Sequence, residues 1–288
     1  MLNQMIELKL RNKLLLFLLI TPFLITAQDK SLVILHLNDV HSRIEPFPQN
    51  DARNADKGGV VRHATYINDV RKESKNVLVF NCGDMVQGTP YFTVFEGEVE
   101  IAATNKMKTD AACLGNHEFD NGLDFLSNMI RQAKYPFITT NLDFTGTPVE
   151  GLTKDYLILK RNGLKIGIIG LTIKLDGLVS KKSFEGVKYL DPIESANRMA
   201  AFLKNEKKCD LVICLSHLGY FPEENELGDV TLAKNSRNID IIIGGHSHTF
   251  MQKPNRWINL DGKDVIISHA GAYGIYVGRL DILMEKRK

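Results

Sequence analysis

Residues 33–41 read VILHLNDVH, an apolar run that ends in two polar side chains, Asp39 and His41. The same arrangement recurs after the apolar runs 77–80, 111–114, 211–215 and 239–243. Short apolar runs bounded by polar loops predict buried β-strands. Because parallel strands bring their C-terminal ends to one edge of a sheet, we expect the polar side chains that follow these runs to lie together at that edge.

The segments that follow the runs supply oxygen and nitrogen donors of the kind that binds catalytic divalent cations. A carboxylate has two oxygens and can bridge two cations, and Asp84, alone at the end of a central strand, is the natural bridge. One His in a loop is weak evidence, but the ordered series predicts a site for two metal ions side by side. The candidate ligands are Asp39, His41, Asp84, Asn116, His217, His246 and His248.

The rest of the chain alternates predicted strands and helices, which indicates one α/β domain of mixed sheets with flanking helices. Apolar periodicity predicts helices at 58–72, 98–106, 122–133, 192–205 and 231–235. Asn162-Gly163 predicts a tight turn between strands 156–160 and 165–171. Residues 137–141 read as extended, and the tail from Trp257 reads as antiparallel strands that close a sheet.

The first 27 residues have the composition of a secretory signal peptide. Lys9, Arg11 and Lys13 precede an apolar run that begins at Leu14 and continues to Ala27. That run is shorter than the roughly 20 residues that a membrane-spanning helix needs. We expect cleavage after Ala27, export to the periplasm or the extracellular space, and no membrane span in the mature protein. A buried N-terminal helix is the alternative interpretation.

The net charge of the chain limits the kinds of partner that it can bind. The 288-residue chain has a formal net charge of +2, which falls to about zero without residues 1–27. Such a charge gives no support for nucleic-acid binding.

The four cysteines lie in or beside apolar runs without CxxC spacing, so we expect buried thiols, with a Cys82–Cys113 disulfide as the alternative. They are Cys82, Cys113, Cys209 and Cys214.

From residue 33 to about 283 the chain resembles the calcineurin-like metallophosphoesterases, within them the catalytic domain of the bacterial 5′-nucleotidase/UDP-sugar hydrolase group. The resemblance is carried by NDVH at 38–41, GDMVQGTP at 83–90, GNHEFD at 115–120, SH at 216–217 and GHSH at 245–248. It implies a four-layer α/β/β/α sandwich with two mixed sheets flanked by helices. It also implies one cation on Asp39, His41, Asp84 and His248, and a second on Asp84, Asn116, His217 and His246.

The resemblance further implies a catalytic pair, His117 with Asp120. His117 follows a ligand and can approach the leaving oxygen or a phosphoryl oxygen, while Asp120 can fix the imidazole tautomer and stabilise its charged form. Asp120 could also cap the helix that follows it. We expect His36 and His63 to be structural or exposed, and a secondary contact near the metals is plausible for His269.

The function that this pattern predicts is an exported dinuclear-metal phosphohydrolase of nucleotide catabolism. It would release phosphate from nucleoside 5′-monophosphates, and also from UDP-sugars, by in-line attack of a metal-activated water. Relatives that act on 2′,3′-cyclic nucleotides typically carry Asn where this chain has Asp120, which favours the 5′-nucleotidase branch. Two alternatives stay open: a cyclic-nucleotide or general phosphodiesterase, and a metal-binding subunit that completes a partner. The ligands suit Zn²⁺, Mn²⁺, Co²⁺, Mg²⁺ or Ca²⁺.

The resemblance also implies that typical members of the family continue into a second domain that grips the nucleoside and the phosphate, and we expect that domain to be absent here. The substrate-binding residues are therefore not identified. We expect either a separately encoded substrate-binding protein or a domain that acts alone with broad specificity. The segment 88–95, with Tyr91, Phe92 and Phe95, is a candidate apolar lip for docking such a partner, and core packing is the alternative.

Overall fold

The computed structural model describes residues 30–221 and 227–284, and in that part of the chain two β-sheets pack face to face. The strands are β1 Lys30–Leu37, β2 Val77–Cys82, β3 Ala111–Cys113, β4 Leu142–Asp143, β5 Leu157–Arg161, β6 Leu164–Thr172, β7 Lys188–Tyr189, β8 Leu211–His217, β9 Ile241–Ile243, β10 Asn255–Ile258, β11 Asp264–Ser268 and β12 Gly278–Met284. One sheet has the order β12-β1-β2-β3, and the other has the order β10-β11-β9-β8-β6-β5. A short ribbon of β4 and β7 stands apart.

Both large sheets have parallel strands in their interior and antiparallel strands at an edge. β1, β2 and β3 are parallel, and β12 pairs antiparallel with β1. β6, β8, β9 and β11 are parallel, with β5 and β10 antiparallel at the two edges. In each sheet the parallel strands therefore deliver their C-terminal ends to one side.

Helices cover the outer face of each sheet. They are α1 Val60–Glu73, α2 Pro90–Phe95, α3 Glu98–Lys106, α4 Gly122–Gln132, α5 Pro192–Ala201 and α6 Asp229–Asn235, with 3₁₀ turns at His117–Phe119 and Lys181–Phe184. α1 packs Ile67 and Val70 against the outward side chains of β1 and β2. α5 and α6 pack against the outer face of the six-stranded sheet, with Ala196 and Leu232 among the buried contacts.

The space between the sheets is filled by alternate residues of the facing strands, as the two-residue period of a strand requires. Ile34 and Phe80 enter this layer from one sheet, and Ile166, Ile213 and Ile243 enter from the other, all of them buried. With the helices outside, the layers run helix, sheet, sheet, helix. The expected four-layer α/β/β/α sandwich is confirmed.

Several local predictions are confirmed. The helix at 98–106 and the hairpin between β5 and β6 are present, with φ of 48° at Asn162 and 68° at Gly163, as a tight hairpin turn needs. Residues 137–141 form no regular strand. Their backbone groups bond in turn to Ala112, Lys154 and Gly170, so the extended segment changes partner at almost every residue.

Two features in the second half of the chain differ from expectation, the end of one helix and the sheets to which the tail strands belong. The predicted helix 192–205 ends as an α-helix at Ala201 and continues as a π-helical turn, Phe202–Glu206. The tail does not close a single sheet. β10 and β11 extend the six-stranded sheet, where β11 is parallel to β9, and β12 crosses to pair with β1 in the other sheet.

The four cysteines are free and buried, which confirms the prediction of buried thiols. Cys82 and Cys113 are register partners on neighbouring parallel strands. The expected signal peptide, residues 1–27, lies outside the described residues. Across the two described ranges, every helix is too short or too polar to cross a membrane.

Candidate metal centre

The expected ligands come together where the C-terminal ends of the strands of both sheets meet. This corrects the expectation of a single edge. β1, β2 and β3 carry Asp39, His41, Asp84 and Asn116 on the loops after the four-stranded sheet, whereas β8 and β9 bring His217, His246 and His248 from the six-stranded sheet. The site therefore lies across the junction of the two sheets.

One group of donors contains Asp39, His41 and His248, whose ligand atoms lie within 4.8 Å of one another. His41 Nε2 is 2.9 Å from His248 Nε2, and His248 Nε2 is 3.6 Å from Asp39 Oδ1. Burial, with a further contribution from neighbouring His248, lowers the pKa of His41 to about 4, so its imidazole is neutral and able to act as a ligand.

A second group contains Asp84, His217 and His246, again within 4.8 Å. His217 Nε2 is 3.0 Å from Asp84 Oδ2, and His246 Nδ1 is 3.0 Å from the amide oxygen of Asn116. Burial lowers the pKa of His246 to about 4, which keeps this imidazole neutral as well. Asn116 thus joins this group through His246.

Asp84 belongs to the second group and also approaches the first, because its ligand atom lies within 4.8 Å of those of His41 and His117 as well. Its Oδ2 is 3.0 Å from His217 Nε2 in one group and 4.0 Å from His41 Nε2 in the other. Its Oδ1 accepts a hydrogen bond of 2.9 Å from the backbone N–H of His117, which fixes the orientation of the carboxylate. The Asp84 carboxylate therefore has the position that a ligand shared by two cations needs.

The tautomer of His217 tests whether this donor set fits a cation. His217 Nδ1 is 2.6 Å from the carbonyl oxygen of Cys82, which can only accept, so Nδ1 carries the proton. In the neutral ring the Nε2 lone pair then faces Asp84 Oδ2 at 3.0 Å and Asp39 Oδ1 at 3.9 Å. Burial opposes a charge on His217, yet the two carboxylates raise its pKa well above the ordinary value. His217 Nε2 and the two buried carboxylates thus converge on one position that favours positive charge, and this position fits a divalent cation in place of the proton.

The backbone is strained at the candidate ligands. Five of the seven have positive φ, namely Asp39 (51°), His41 (51°), Asp84 (50°), His246 (76°) and His248 (52°). Non-glycine residues rarely adopt this region, and such strain concentrates at functional sites. At Asp39 and His41, and again at His246 and His248, it turns two ligands of one short loop toward the same centre.

His117 and Asp120 form a hydrogen-bonded pair beside the ligands. His117 Nδ1 is 2.7 Å from Asp120 Oδ2, and the His117 and His41 ring centroids are 5.2 Å apart. The hydrogen bond to Asp120 raises the pKa of His117, although partial burial opposes it. The Asp120 side chain does not cap α4, whose N-cap residue is Asn121. The helix-cap interpretation of Asp120 is therefore wrong.

Sequence reasoning gave no role to Glu118, which lies within the GNHEFD motif. Its carboxylate is fully buried and accepts backbone hydrogen bonds from Asp84 (2.9 Å), Met85 (2.8 Å) and Gly115 (2.6 Å). Burial raises the pKa of Glu118 to about 7. Glu118 therefore fastens the Asp84 loop to the Asn116 loop. A charged residue between two candidate site residues was the available signal.

Asn38 is a second residue without an assigned role. Its side-chain amide donates to Asp39 Oδ2 (2.6 Å) and to the carbonyl of Gly271 (2.7 Å), and its Oδ1 accepts from Ala270 N–H (3.0 Å). Asn38 thus orients the Asp39 carboxylate and ties it to the neighbouring loop at Ala270 and Gly271. Its position directly before a candidate ligand was a signal in the sequence.

The remaining histidines are buried and hydrogen-bonded. His36 Nε2 lies 3.0 Å from Ser268 Oγ, and His63 Nε2 lies 2.5 Å from the carbonyl of Gly274, which agrees with a structural role. His269 Nε2 lies 2.6 Å from Asp229 Oδ2 and does not belong to the donor groups. The contact near the metals considered for His269 is therefore indirect.

Comparison with known proteins agrees with this architecture. The human 5′-nucleotidase is 32% identical over 277 residues, which are 89% of this chain and 47% of that protein. The 5′-nucleotidase precursor of Thermus thermophilus has a TM-score of 0.79 at 30% identity, with 88% of this chain and 51% of that one covered. The NAD nucleotidase of Haemophilus influenzae has a TM-score of 0.78 at 31% identity, with 90% and 54% covered.

The chain spans about half the length of the curated relatives it matches. The family model for calcineurin-like phosphoesterase matches residues 32–250, a range that runs from within β1 past β9 and contains every candidate ligand. Fold, site geometry and sequence agree, and the chain belongs to the calcineurin-like phosphoesterase family.

Proposed function

We propose that the protein is a dinuclear-metal phosphohydrolase that releases phosphate from nucleoside 5′-monophosphates. The observation that carries this proposal is the two donor groups that meet at Asp84, with the His117–Asp120 pair beside them. The names of the relatives, 5′-nucleotidase and NAD nucleotidase, support a nucleotide as the substrate.

In this proposal Asp39, His41, Asp84 and His248 hold one cation, and Asp84, Asn116, His217 and His246 hold the other. Two bound divalent cations would neutralise the charge of the phosphoryl group and lower the pKa of the water that acts as the nucleophile. The chain's own contribution is preorganisation. The strained loops and the buried supports of Asp39 and Asp84 hold the donors in place before substrate arrives.

In this proposal His117 donates a hydrogen bond or a proton to the bound ester. Asp120 engages Nδ1 at 2.7 Å, so Nε2 is the nitrogen left to face a bound ester. In the protonated state that Asp120 favours, Nε2 can donate to a phosphoryl oxygen or to the leaving oxygen of the nucleoside. The first contact would reduce the charge on the phosphoryl group, and the second would reduce the alkoxide character of the leaving group.

Export and a docking partner belong to the same proposal. The signal-like composition of residues 1–27 supports export to the periplasm or beyond. On α2, Val94 is 67% exposed and Phe95 is 45% exposed, whereas Phe92 of the same helix is buried. This exposed apolar lip supports docking of a separately encoded substrate-binding protein, which would supply the nucleoside pocket.

The test is phosphate release from AMP by the purified protein with added Mn²⁺ or Zn²⁺, compared with the His117→Ala variant. Release that the substitution abolishes, and that exceeds the rate with p-nitrophenyl phosphate, supports a self-sufficient nucleotidase. Slow release at a similar rate from both esters supports a competent metal centre whose nucleoside pocket a partner supplies. Faster turnover of 2′,3′-cAMP would instead establish a cyclic phosphodiesterase, and UDP-glucose and NAD measure how far the substrate range extends. A metal-loaded protein that cleaves none of these esters would overturn the proposal in favour of a binding subunit.

A further inference from the structure

Asp229, the first residue of α6, carries a fully buried carboxylate outside the donor groups. Its Oδ1 accepts a hydrogen bond of 2.5 Å from Ser216 Oγ, and its Oδ2 lies 2.6 Å from His269 Nε2. Ser216 and His269 are also buried. Since a buried carboxylate is costly without such partners, these contacts indicate a specific arrangement of three segments and not ordinary apolar packing.

The first contact leads to a candidate ligand of the second group. Ser216 directly precedes His217 on β8, so the hydroxyl that Asp229 holds belongs to the residue next to His217. Ser216 Oγ also accepts from Leu218 N–H at 3.2 Å, and Asp229 N–H donates to the Gly219 carbonyl at 2.8 Å. The network therefore holds the chain on both sides of His217.

The second contact leads to the other histidine of that group. The backbone of Gly244 lies against the Asp229–His269 hydrogen bond, so closely that a Cβ at this position would collide with Asp229 Oδ2 and His269 Nε2. Gly244 N–H donates to the Ser268 carbonyl at 2.9 Å, which keeps the loop against β11. Gly244 begins the turn that carries His246 two residues later.

We propose that Asp229 is a positioning residue for the His217 and His246 half of the metal centre, acting through Ser216 and Gly244. This inference rests on the dinuclear centre of the proposed function. It predicts that loss of the Asp229 carboxylate weakens one cation site and leaves the site of Asp39, His41 and His248 intact. Hydrogen-bond partners behind metal ligands typically change metal affinity by about 10–100-fold when they are removed.

The experiment is calorimetric titration of the metal-free protein with Mn²⁺, together with visible spectra of the Co²⁺-loaded protein. Asp229→Asn is compared with the wild type and with Asp240→Asn. Asp240 provides a matched control, because its Oδ2 accepts from Val212 N–H at 2.7 Å and so joins β8 to β9 at the opposite end of the strands. We expect Asp229→Asn to weaken one of two binding steps by about 10–100-fold and to alter the Co²⁺ spectrum. Asp240→Asn is expected to change neither.

His269 supplies a second pair of variants in case Asp229→Asn folds poorly. His269→Gln retains an N–H donor for Asp229, whereas His269→Leu removes it, so the first should bind both cations and the second should lose affinity at one site. Wild-type affinity at both sites in Asp229→Asn or His269→Leu would overturn the inference. The wild type is measured first. If it binds two cations but hydrolyses no ester, the proposed function is refuted and the inference on Asp229 stands to be tested. If it binds no cation, the proposed function and the inference are both refuted.

Discussion

His217 Nε2 lies 3.0 Å from Asp84 Oδ2, and this contact joins the two sheets at the metal centre. Asp84 follows β2 of the four-stranded sheet, and His217 ends β8 of the six-stranded sheet. Both side chains are buried, so their relative position depends on how the sheets pack. A substitution that changes the packing between the sheets would therefore also change the distances between the donor atoms.

The first prediction concerns the charge of Asp84. We expect Asp84→Asn to abolish simultaneous binding of two cations, because the amide offers one neutral oxygen where the carboxylate offers two charged ones. The rate of phosphate release from AMP should fall by at least about 10²-fold, the size of loss seen when one charge-stabilising group is removed from an active site. Metal content after gel filtration and kcat for AMP are the measurements.

Asp110→Asn is the control for that substitution. Asp110 Oδ2 accepts from Val79 N–H at 2.8 Å and so joins β2 to β3 at the end remote from the site. The control should keep its metal content and its kcat. Two cations per chain in Asp84→Asn would contradict the bridging position of Asp84.

A second prediction concerns the pairing of Asp120 with His117. Asp120→Asn removes the charge that holds His117 Nδ1–H and favours the protonated ring. We expect kcat for AMP to fall by about 10²-fold, a typical contribution of general acid catalysis. The loss for p-nitrophenyl phosphate should be several-fold smaller, because a good leaving group needs less protonation. Asp124→Asn, which changes an exposed carboxylate on the neighbouring helix α4, should leave both rates unchanged.

The order of strands and polar loops in the sequence was sufficient to predict one α/β domain of mixed sheets and donors that lie together, whereas the four-layer sandwich was implied by the family resemblance. The sequence did not predict which strands belong to which sheet. The two-residue period of a strand shows which of its residues share a face, but it does not show which other strand lies beside that strand. β1 and β8 both read as apolar runs that end in a ligand, yet they belong to different sheets. The tail was misjudged for the same reason.

Glu118 and Asp229 show what else the sequence left unassigned. Each is a charged residue in a polar stretch, where a solvated side chain is the usual outcome. Their burial results from contacts with loops far along the chain, such as Glu118 with Met85 and Asp229 with His269. The local pattern can mark such a residue as unusual, as at Glu118, but it does not show which distant loops the residue contacts.

A third prediction follows for Glu118. In Glu118→Gln one oxygen is replaced by an NH₂ group that faces backbone N–H donors, so at least one buried donor loses its acceptor. We expect the free energy of unfolding to fall by about 2–3 kcal/mol in the metal-free protein, measured by urea denaturation. Glu185→Gln, at an exposed position, should change it by less than about 0.5 kcal/mol. Equal stability of the two variants would mean that the three bonds to Glu118 contribute little.

The last prediction concerns the pH dependence of stability. Burial, followed by the nearby His269, lowers the pKa of His36 from 6.5 to about 3 in the folded protein. Between about pH 6.5 and pH 3 the unfolded chain binds a proton at His36 that the folded chain does not, so stability falls as the pH falls through this window. One unit of pKa shift corresponds to about 1.4 kcal/mol, so the loss from pH 7 to pH 5 should be about 2 kcal/mol.

The variant His36→Gln lacks this titration and should lose about 2 kcal/mol less stability than the wild type between pH 7 and pH 5. Urea denaturation of both proteins in the presence of a chelator measures the difference without a contribution from metal release. The other buried histidines, among them His63 and His246, titrate in both proteins and cancel in the comparison. A parallel fall in stability for the two proteins would show that His36 is not the group responsible.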